Sequence, residues 1–473
     1  HLDPHASQLS TSWHIQHMIF DSLVTFDDEF NLQPSLASAW EWEGNNLTFT
    51  LRSGVKFANG REMTTDDVIG SLERAFVAKG NPWPLLLRNR TGMSASGNTV
   101  TIAFDGPNNV ALASLAATLV CILPMKEVNE GTVDPTTDMY MASGPYRVVE
   151  HIANDRWVLE ANPHYWGGQP KADKVVVRTI PSSQGLVAAL REGSIDGAMF
   201  YGDPDASALL AGIPNVSYSI LGTTDFAYLG LNALREDSPF TDKRVRQAVA
   251  LVIDRQQIID FALAGQSTPT YGWTQWGLTD DTKLPLYERN VEKAKALMAE
   301  AKPARTTLNM LVRGGNSVNE AVAQVIKQNL AEIGLDCQLE SVDGGVWAKR
   351  VWGTRPVSDF DLTNSNYTGF SHPLITAHWW APDLSGFTKG YVPVNETYTA
   401  ALNKAVLGGG DEAAVNASLQ ELYGMLNEEA VKIPLCVVTD TIAWRSDRVN
   451  MTPSKKEEQN DVFSGVETWE MLT

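Results

Sequence analysis

The chain has 473 residues, with 37 Lys and Arg against 56 Asp and Glu, for a formal net charge of −19. A chain of this length buries a full core and divides into two or three domains at about 150 residues each, and its 43% hydrophobic and 20% charged residues exclude wholesale disorder, collagen-like repeats and coiled coil. The acidity argues against nucleic acid, polyphosphate and anionic membrane surfaces as partners, since each needs a basic face.

The chain opens at His1 with neither an initiator Met nor a charged and apolar leader, so any export signal is expected to have been removed or left out of this sequence. Leu47-Thr-Phe-Thr-Leu51 alternates apolar and polar residues as a half-buried strand does, Phe57-Ala-Asn-Gly60 is a turn, and Thr64-Thr-Asp-Asp67 opens a helix. Thr64 or Thr65 is its N-cap, Asp66 and Asp67 suit the macrodipole of the first turn, and Val68, Leu72 and Phe76 form one face. Asn81-Pro-Trp83-Pro reads as extended, being too rich in proline for a helix interior, and Thr99-Val-Thr-Ile-Ala-Phe104 reads as a strand. The apolar run from Val110 to Met125 contains Ser114 and Thr118, ends at Pro124 and is shorter than the roughly 20 residues of a spanning helix, so it is expected in a soluble core. Lys174-Val-Val-Val-Arg-Thr-Ile180 is a strand, followed by a helix over 183–191 that Gly193 stops.

From Tyr228 the pattern restarts. Tyr228-Leu-Gly-Leu-Asn232 is a short strand, 242–264 has apolar residues at helical spacing, and 292–302 is another helix. Leu308-Asn-Met-Leu-Val312, a helix over 318–333 ended by Gly334, and Asp336-Cys-Gln-Leu-Glu-Ser-Val342 form a βαβ unit, which requires parallel strands. Gly408-Gly-Gly410 is a loop. The cysteines, Cys121, Cys337 and Cys436, are odd in number and far apart, which reads as buried free thiols with one disulfide left open.

Several runs together resemble one family. Leu36-Ala-Ser-Ala-Trp40 leads to Leu47-Thr-Phe-Thr-Leu-Arg-Ser-Gly-Val-Lys-Phe-Ala-Asn-Gly60, and then come Ser143-Gly-Pro-Tyr146, Asn162-Pro-His-Tyr-Trp-Gly167, Gly193-Ser-Ile-Asp196, Asp242-Lys-Arg-Val-Arg-Gln-Ala248 with Ile253-Asp-Arg255, and Ile433-Pro434. In this order they are similar to the extracellular solute-binding proteins of dipeptide, oligopeptide and nickel ABC importers, over nearly the whole chain. The resemblance implies an α/β periplasmic-binding-protein clamshell of two lobes with an additional small α+β domain in lobe I. Lobe I is then expected from 1–35, 141–226 and the return at 446–473, the small domain from 36–140 and lobe II from 227–445, with two crossover strands as hinge. It also implies a monomer outside the cytoplasmic membrane, periplasmic or anchored as a lipoprotein. Such a protein holds a small-molecule ligand between its lobes and passes it to an ABC permease, with no cofactor, no structural metal and no chemistry on the ligand.

In peptide-binding relatives the loop resembling Asn366-Tyr-Thr-Gly-Phe-Ser-His-Pro373 carries an aspartate that pairs with the peptide α-ammonium; here that position is Phe370. A buried ammonium without a partner costs several kcal/mol, so the departure argues against ordinary peptides unless Asp359 or Asp361 substitutes. Arg313 matches the position at which dipeptide-binding relatives hold the ligand carboxylate, and a guanidinium grips carboxylate or phosphate through two parallel hydrogen bonds. The competing reading of Arg313 is a structural ion pair at a strand end.

The chain has 14 Trp, and flat rings suit sugar faces, aromatic rings and cations. By the resemblance Trp13 sits in the N-terminal cleft loop, Trp83 at the tip of the small domain, and Tyr367 replaces a frequent cleft Trp. His372 joins them as a candidate ligand contact. Trp40, Trp166 and Trp444 are expected in core, whereas Trp273, Trp276, Trp379 and Trp380 fall in loop-like sequence without an assigned place. His14 and His17, spaced i and i+3, could share a metal with His5, His372 or His378, but the chain has no Cys/His set at metal-ligand spacing. Nucleophile-elbow, phosphate-loop, His-Glu-x-x-His and dinucleotide fingerprints are missing from the sequence. The expected ligand is a small organic molecule, anionic, conjugated or aromatic, and not a free-amine peptide. The alternatives are an oligopeptide or nickel chelate on the same fold, or a sensory receptor component.

Overall fold

Two long antiparallel strands, Val216–Leu231 and Lys432–Arg445, organise the molecule, pairing from Val216 opposite Arg445 to Gly230 opposite Lys432 with a bulge between Gly222 and Phe226. In the computed structural model, residues 3–6, 10–27, 29–78, 83–137, 142–273, 284, 287–315, 317–353, 356–367, 372–384, 388–410, 412–453 and 465–472 are described. The two strands sit in a six-stranded sheet whose order is Gly197–Phe200, Lys432–Arg445, Val216–Leu231, Leu362–Tyr367, Thr307–Arg313 and Asp336–Val342. One end of the pair packs with Val187, Leu190, Phe200 and Leu210 of lobe I. The other end carries the core of lobe II, so these are the crossover strands, and the bulge bends them where the lobes meet.

Lobe II is built on a parallel unit: Thr307–Arg313 pairs in register with Asp336–Val342 and also with Leu362–Tyr367. Helix Ser317–Ala331 crosses between the first two, and the chain leaves it through Gly334 at φ 80°, a left-handed turn that favours glycine. The single helix expected over 242–264 is two, Lys243–Val252 and Arg255–Ala262, because Asp254 caps the second by accepting from the Gln257 N–H at 2.9 Å. The opposite face of the sheet is covered by helices Pro373–Trp379, Glu396–Leu407 and Glu412–Glu429.

The small domain contains a four-stranded antiparallel sheet in the order Ala37–Glu43, Asn46–Leu51, Thr99–Phe104, Arg90–Ser96. Its helix Thr65–Val77 starts in a reciprocal cap, Thr64 accepting from the Asp67 N–H and the Asp67 side chain accepting from the Thr64 N–H, and buries Val68 and Leu72 with Phe76 half-buried. Trp83–Leu87 is a short 3-10 helix rather than an extended segment, since Pro84 falls in the first turn, where its missing N–H leaves no bond unmade. The apolar run from Val110 breaks into the short turns Ala111–Ser114 and Thr118–Val120 inside the core. Among the described residues no helix is long and apolar enough to cross a membrane, and Cys121, Cys337 and Cys436 are all free and buried.

The family-like runs are fasteners. Asn162 donates to the Gly144 carbonyl at 2.9 Å, and a Cβ on Gly144 would stand 2.7 Å from the Ile19 carbonyl carbon, so Ser143-Gly-Pro-Tyr and Asn162-Pro-His-Tyr-Trp lock together against the first helix. Buried Arg246 donates to the Glu429 carbonyl at 2.7 Å and the Phe240 carbonyl at 2.9 Å. Arg255, equally buried, donates to the carbonyls of Thr270, Pro434 and Tyr287 at 3.0–3.1 Å.

Candidate functional site

Parallel strands expose free backbone ends at one edge, where ligands collect in open α/β sheets. Strands Thr307–Arg313 and Leu362–Tyr367 run the same way, so Arg313 and Tyr367 both stand at the C-terminal ends of neighbouring parallel strands in lobe II. Arg313 is exposed. Among the described residues no carboxylate pairs with it, and its closest described constraint is Gly344, where a Cβ would stand 3.1 Å from Arg313 Nε. The structural ion pair considered for Arg313 is therefore not formed within the described residues. A guanidinium left in this state can accept a carboxylate or phosphate without first breaking an internal bond.

Behind Tyr367 stands an aromatic wall. Phe226 pairs with Tyr367 across the antiparallel neighbour, their ring centroids 5.6 Å apart, while Trp380 lies 4.7 Å from both Tyr367 and Trp273. Trp273 Nε1 donates to Asn427 Oδ1 at 2.8 Å, which fixes its plane. Burial pushes the Tyr367 phenol well above its usual range, so the hydroxyl stays neutral. Trp13, on helix Ser10–Ile19 of lobe I, is 8% exposed and belongs to the same apolar cluster as Phe226, Trp273 and Trp380. Trp273, Trp379 and Trp380 are all buried; Trp379 ends helix Pro373–Trp379, while Trp273 and Trp380 lie outside helix and strand, as their loop-like sequence implies. Trp40, Trp166 and Trp444, expected in core, are half-buried against apolar clusters.

His372 caps helix Pro373–Trp379, its Nδ1 accepting from the Leu374 N–H at 3.2 Å, and burial lowers its pKa to about 4, so the ring is neutral near pH 7. Trp83 heads its short helix, and its side chain, like Phe370 and Trp276, lies outside the described residues. The two acids weighed as substitutes for the missing aspartate are engaged elsewhere. Asp361 accepts from Arg305 and from the Asn309 N–H at 2.8 Å, and Asp359 accepts from Arg350 at 2.9 Å. His5 is buried with Nε2 2.8 Å from the Cys121 carbonyl, and among the described residues no group of three His, Cys, Asp or Glu could hold a metal.

The lobes touch beyond the strand ends. Asn109 of the small domain donates its backbone N–H to the Val406 carbonyl and its amide to the Ala405 carbonyl, both at 2.8 Å, and Arg88 donates to Asn403. In the loop that follows, Gly409 has φ 67° and a Cβ there would lie 2.9 Å from Pro107 Cγ, so glycine lets the two surfaces meet. These contacts join the small domain to helix Glu396–Leu407 and the loop after it.

Comparison with known proteins bears on this geometry. The family model described as bacterial extracellular solute-binding proteins, family 5, matches residues 31–383. Oligopeptide-binding protein AppA of Bacillus subtilis is 26% identical over 384 residues, covering 73% of this chain and 67% of that one. Heme-binding protein A of Haemophilus influenzae is 25% identical over 428 residues, covering 82% and 76%. Among solved structures, the binding protein AgaA of A. tumefaciens R10 in complex with agropinic acid superposes with a TM-score of 0.84 at 22% identity, over 100% of this chain and 96% of that one. NikA of Brucella suis in complex with Fe(III)-EDTA superposes with a TM-score of 0.84 at 19% identity, over 100% and 97%. At such identities the two structures establish the fold.

Proposed function

Because the chain belongs to family 5 of the bacterial extracellular solute-binding proteins, the substrate-binding components of ABC importers, we propose that it captures a small organic ligand with an anionic end between its lobes and delivers it to a membrane permease. The observation that carries the ligand class is Arg313, exposed at the strand edge with no carboxylate partner among the described residues. Phe370 in place of an aspartate supports a ligand without a free α-ammonium, and the ion pairs of Asp359 and Asp361 leave neither as a replacement. Tyr367 and Trp13 supply ring faces for an aromatic or conjugated body. AgaA, which shares the fold, is in complex with agropinic acid.

Closure supplies the mechanism. A ligand that touches both lobes binds the closed form better than the open one and shifts the population by that difference. The contacts of Asn109 and Gly409 with the other lobe give the closed form its own stability. We place the protein outside the cytoplasmic membrane as a monomer that binds its cargo without altering it. The test is Arg313→Ala, measured by calorimetry with the ligand that co-purifies with the protein. Loss of a charge-assisted bond should weaken binding about tenfold or more, at about 1.5–3 kcal/mol. Unchanged affinity would return Arg313 to a structural role.

A further inference from the structure

A second cavity lies in lobe II away from the strand edge. It has a volume of about 290 Å³, and its walls include Trp273, Trp380, Val392, Met425 and Leu426, with Lys432 among them. Lys432 begins the strand Lys432–Arg445 opposite Gly230, which in turn pairs with Thr363. From that level to Tyr367 the neighbouring strand runs about 13 Å at the usual rise of roughly 3.3 Å per residue, with Trp380 between Lys432 and Tyr367.

Lys432 is 6% exposed. Its Nζ stands 3.8 Å from the ring centroid of Trp380, 4.5 Å from that of Tyr228 and 5.4 Å from that of Tyr391. Among the described residues it has no ion pair and no hydrogen bond. Glu396 and Glu429 also line the cavity, and Glu429 is already paired with Arg246 at 2.8 Å and Lys243 at 3.7 Å. Trp380 Nε1 is also buried with no acceptor among the described residues.

Ring faces return only part of the several kcal/mol that a buried ammonium costs, about 2 kcal/mol when desolvated, and a buried indole N–H without an acceptor is a further unmet group. A buried amine lacking an acceptor beside a cavity walled largely by apolar side chains describes the complement of a molecule with one strong acceptor group and an apolar body. The volume, at the low end for small-molecule sites, holds one ring or a short branched chain. We propose that this cavity is a second binding site, distinct from the cleft at Arg313, for a small monocarboxylate with an aromatic or short aliphatic body, its carboxylate held by Lys432.

The test uses benzoate against benzamide, which share a body and differ in charge, titrated into the full-length protein and followed by calorimetry and tryptophan fluorescence. Benzoate should bind at least tenfold more tightly than benzamide, and the preference should disappear in Lys432→Met and persist in Arg313→Ala. Equal binding of the two probes, a preference that survives Lys432→Met, or one lost in Arg313→Ala would each overturn the proposal. A measurement on the unmutated protein stands beside these in case Lys432→Met fails to fold. Benzoate should slow acetylation of Lys432 at least threefold, read by peptide mass mapping, and an unchanged rate would overturn the proposal.

Discussion

Arg255 and Lys432 are both basic side chains buried in lobe II beside the strand Lys432–Arg445, and the fold treats them in opposite ways. Arg255 donates to three main-chain carbonyls, one of them Pro434, two residues along from Lys432. Lys432 faces ring surfaces and a cavity. Burial lowers both, Arg255 to about 10 and Lys432 well below its usual range. The difference lies in the partners: a planar fork with five donors can tie three chain segments together, while a point charge on a flexible stem can be kept for something that arrives later. One position is frame and the other is receptive surface.

Removing the fork should have the larger effect. Arg255→Met leaves three carbonyls without a donor and should cost at least ~3 kcal/mol, at about 1–3 kcal/mol for each buried group left unsatisfied, seen as a lower urea midpoint. A loss under ~1 kcal/mol would mean that Arg255 is not a fastener.

A third buried charge sharpens the contrast through pH. Burial raises the Asp440 carboxyl to about 8, against which the Gly202 N–H, at 2.6 Å, acts in the other direction. Its folded pKa lies above the unfolded value, so the folded state binds the extra proton and stability falls as pH rises between about 4 and 8, by at most ~1.4 kcal/mol per pH unit. Asp440→Asn should flatten that slope in denaturation curves taken across the window, and an unchanged slope would show that Asp440 ionises normally.

Lys432→Met reverses the sign seen at Arg255. Replacing a buried amine that lacks a partner by an apolar side chain of similar length should leave stability unchanged or raise it by up to ~2 kcal/mol. A loss comparable to that of Arg255→Met would abolish the distinction between the two sites. The smallest effect concerns the contact between lobes: Gly409→Ala, with its φ of 67° and its approach to Pro107, should cost about 1 kcal/mol and weaken ligand binding through the closed state. An affinity equal to that of the unmodified protein would dissociate this loop from closure.

The frame was the legible part. Asp66 and Asp67 after Thr64, Gly193 after an apolar helix, and the alternation of Leu47 to Leu51 are local signals, and local hydrogen bonds and burial realise them. The resemblance rested on residues such as Asn162, Arg246 and Arg255, which fasten chain segments and say nothing of the ligand. The site was legible only in part. Arg313 and Tyr367 were named through the resemblance, Arg313 also as the end of the strand read over 308–312, whereas the strand Leu362–Tyr367 has no alternation that would show it in the sequence. The burial of Trp273 and Trp380 was not legible, since the cluster that covers them joins residues from many parts of the chain. Lys432 carried one unused signal, a charge at the head of the apolar run Ile433-Pro-Leu-Cys-Val-Val438. What a charge there does depends on the rings of Tyr228, Trp380 and Tyr391, which only tertiary packing assembles.

The cleft assignment predicts one further gain: Phe370→Asp should raise affinity for dipeptides, and calorimetry showing no gain would count against Phe370 as the ammonium position. The most direct test of the central claim is native mass spectrometry of the purified protein, followed by denaturation and identification of what is released. Release of a small anionic or aromatic compound without a free α-amine is the predicted result, and a ladder of peptide masses would contradict it.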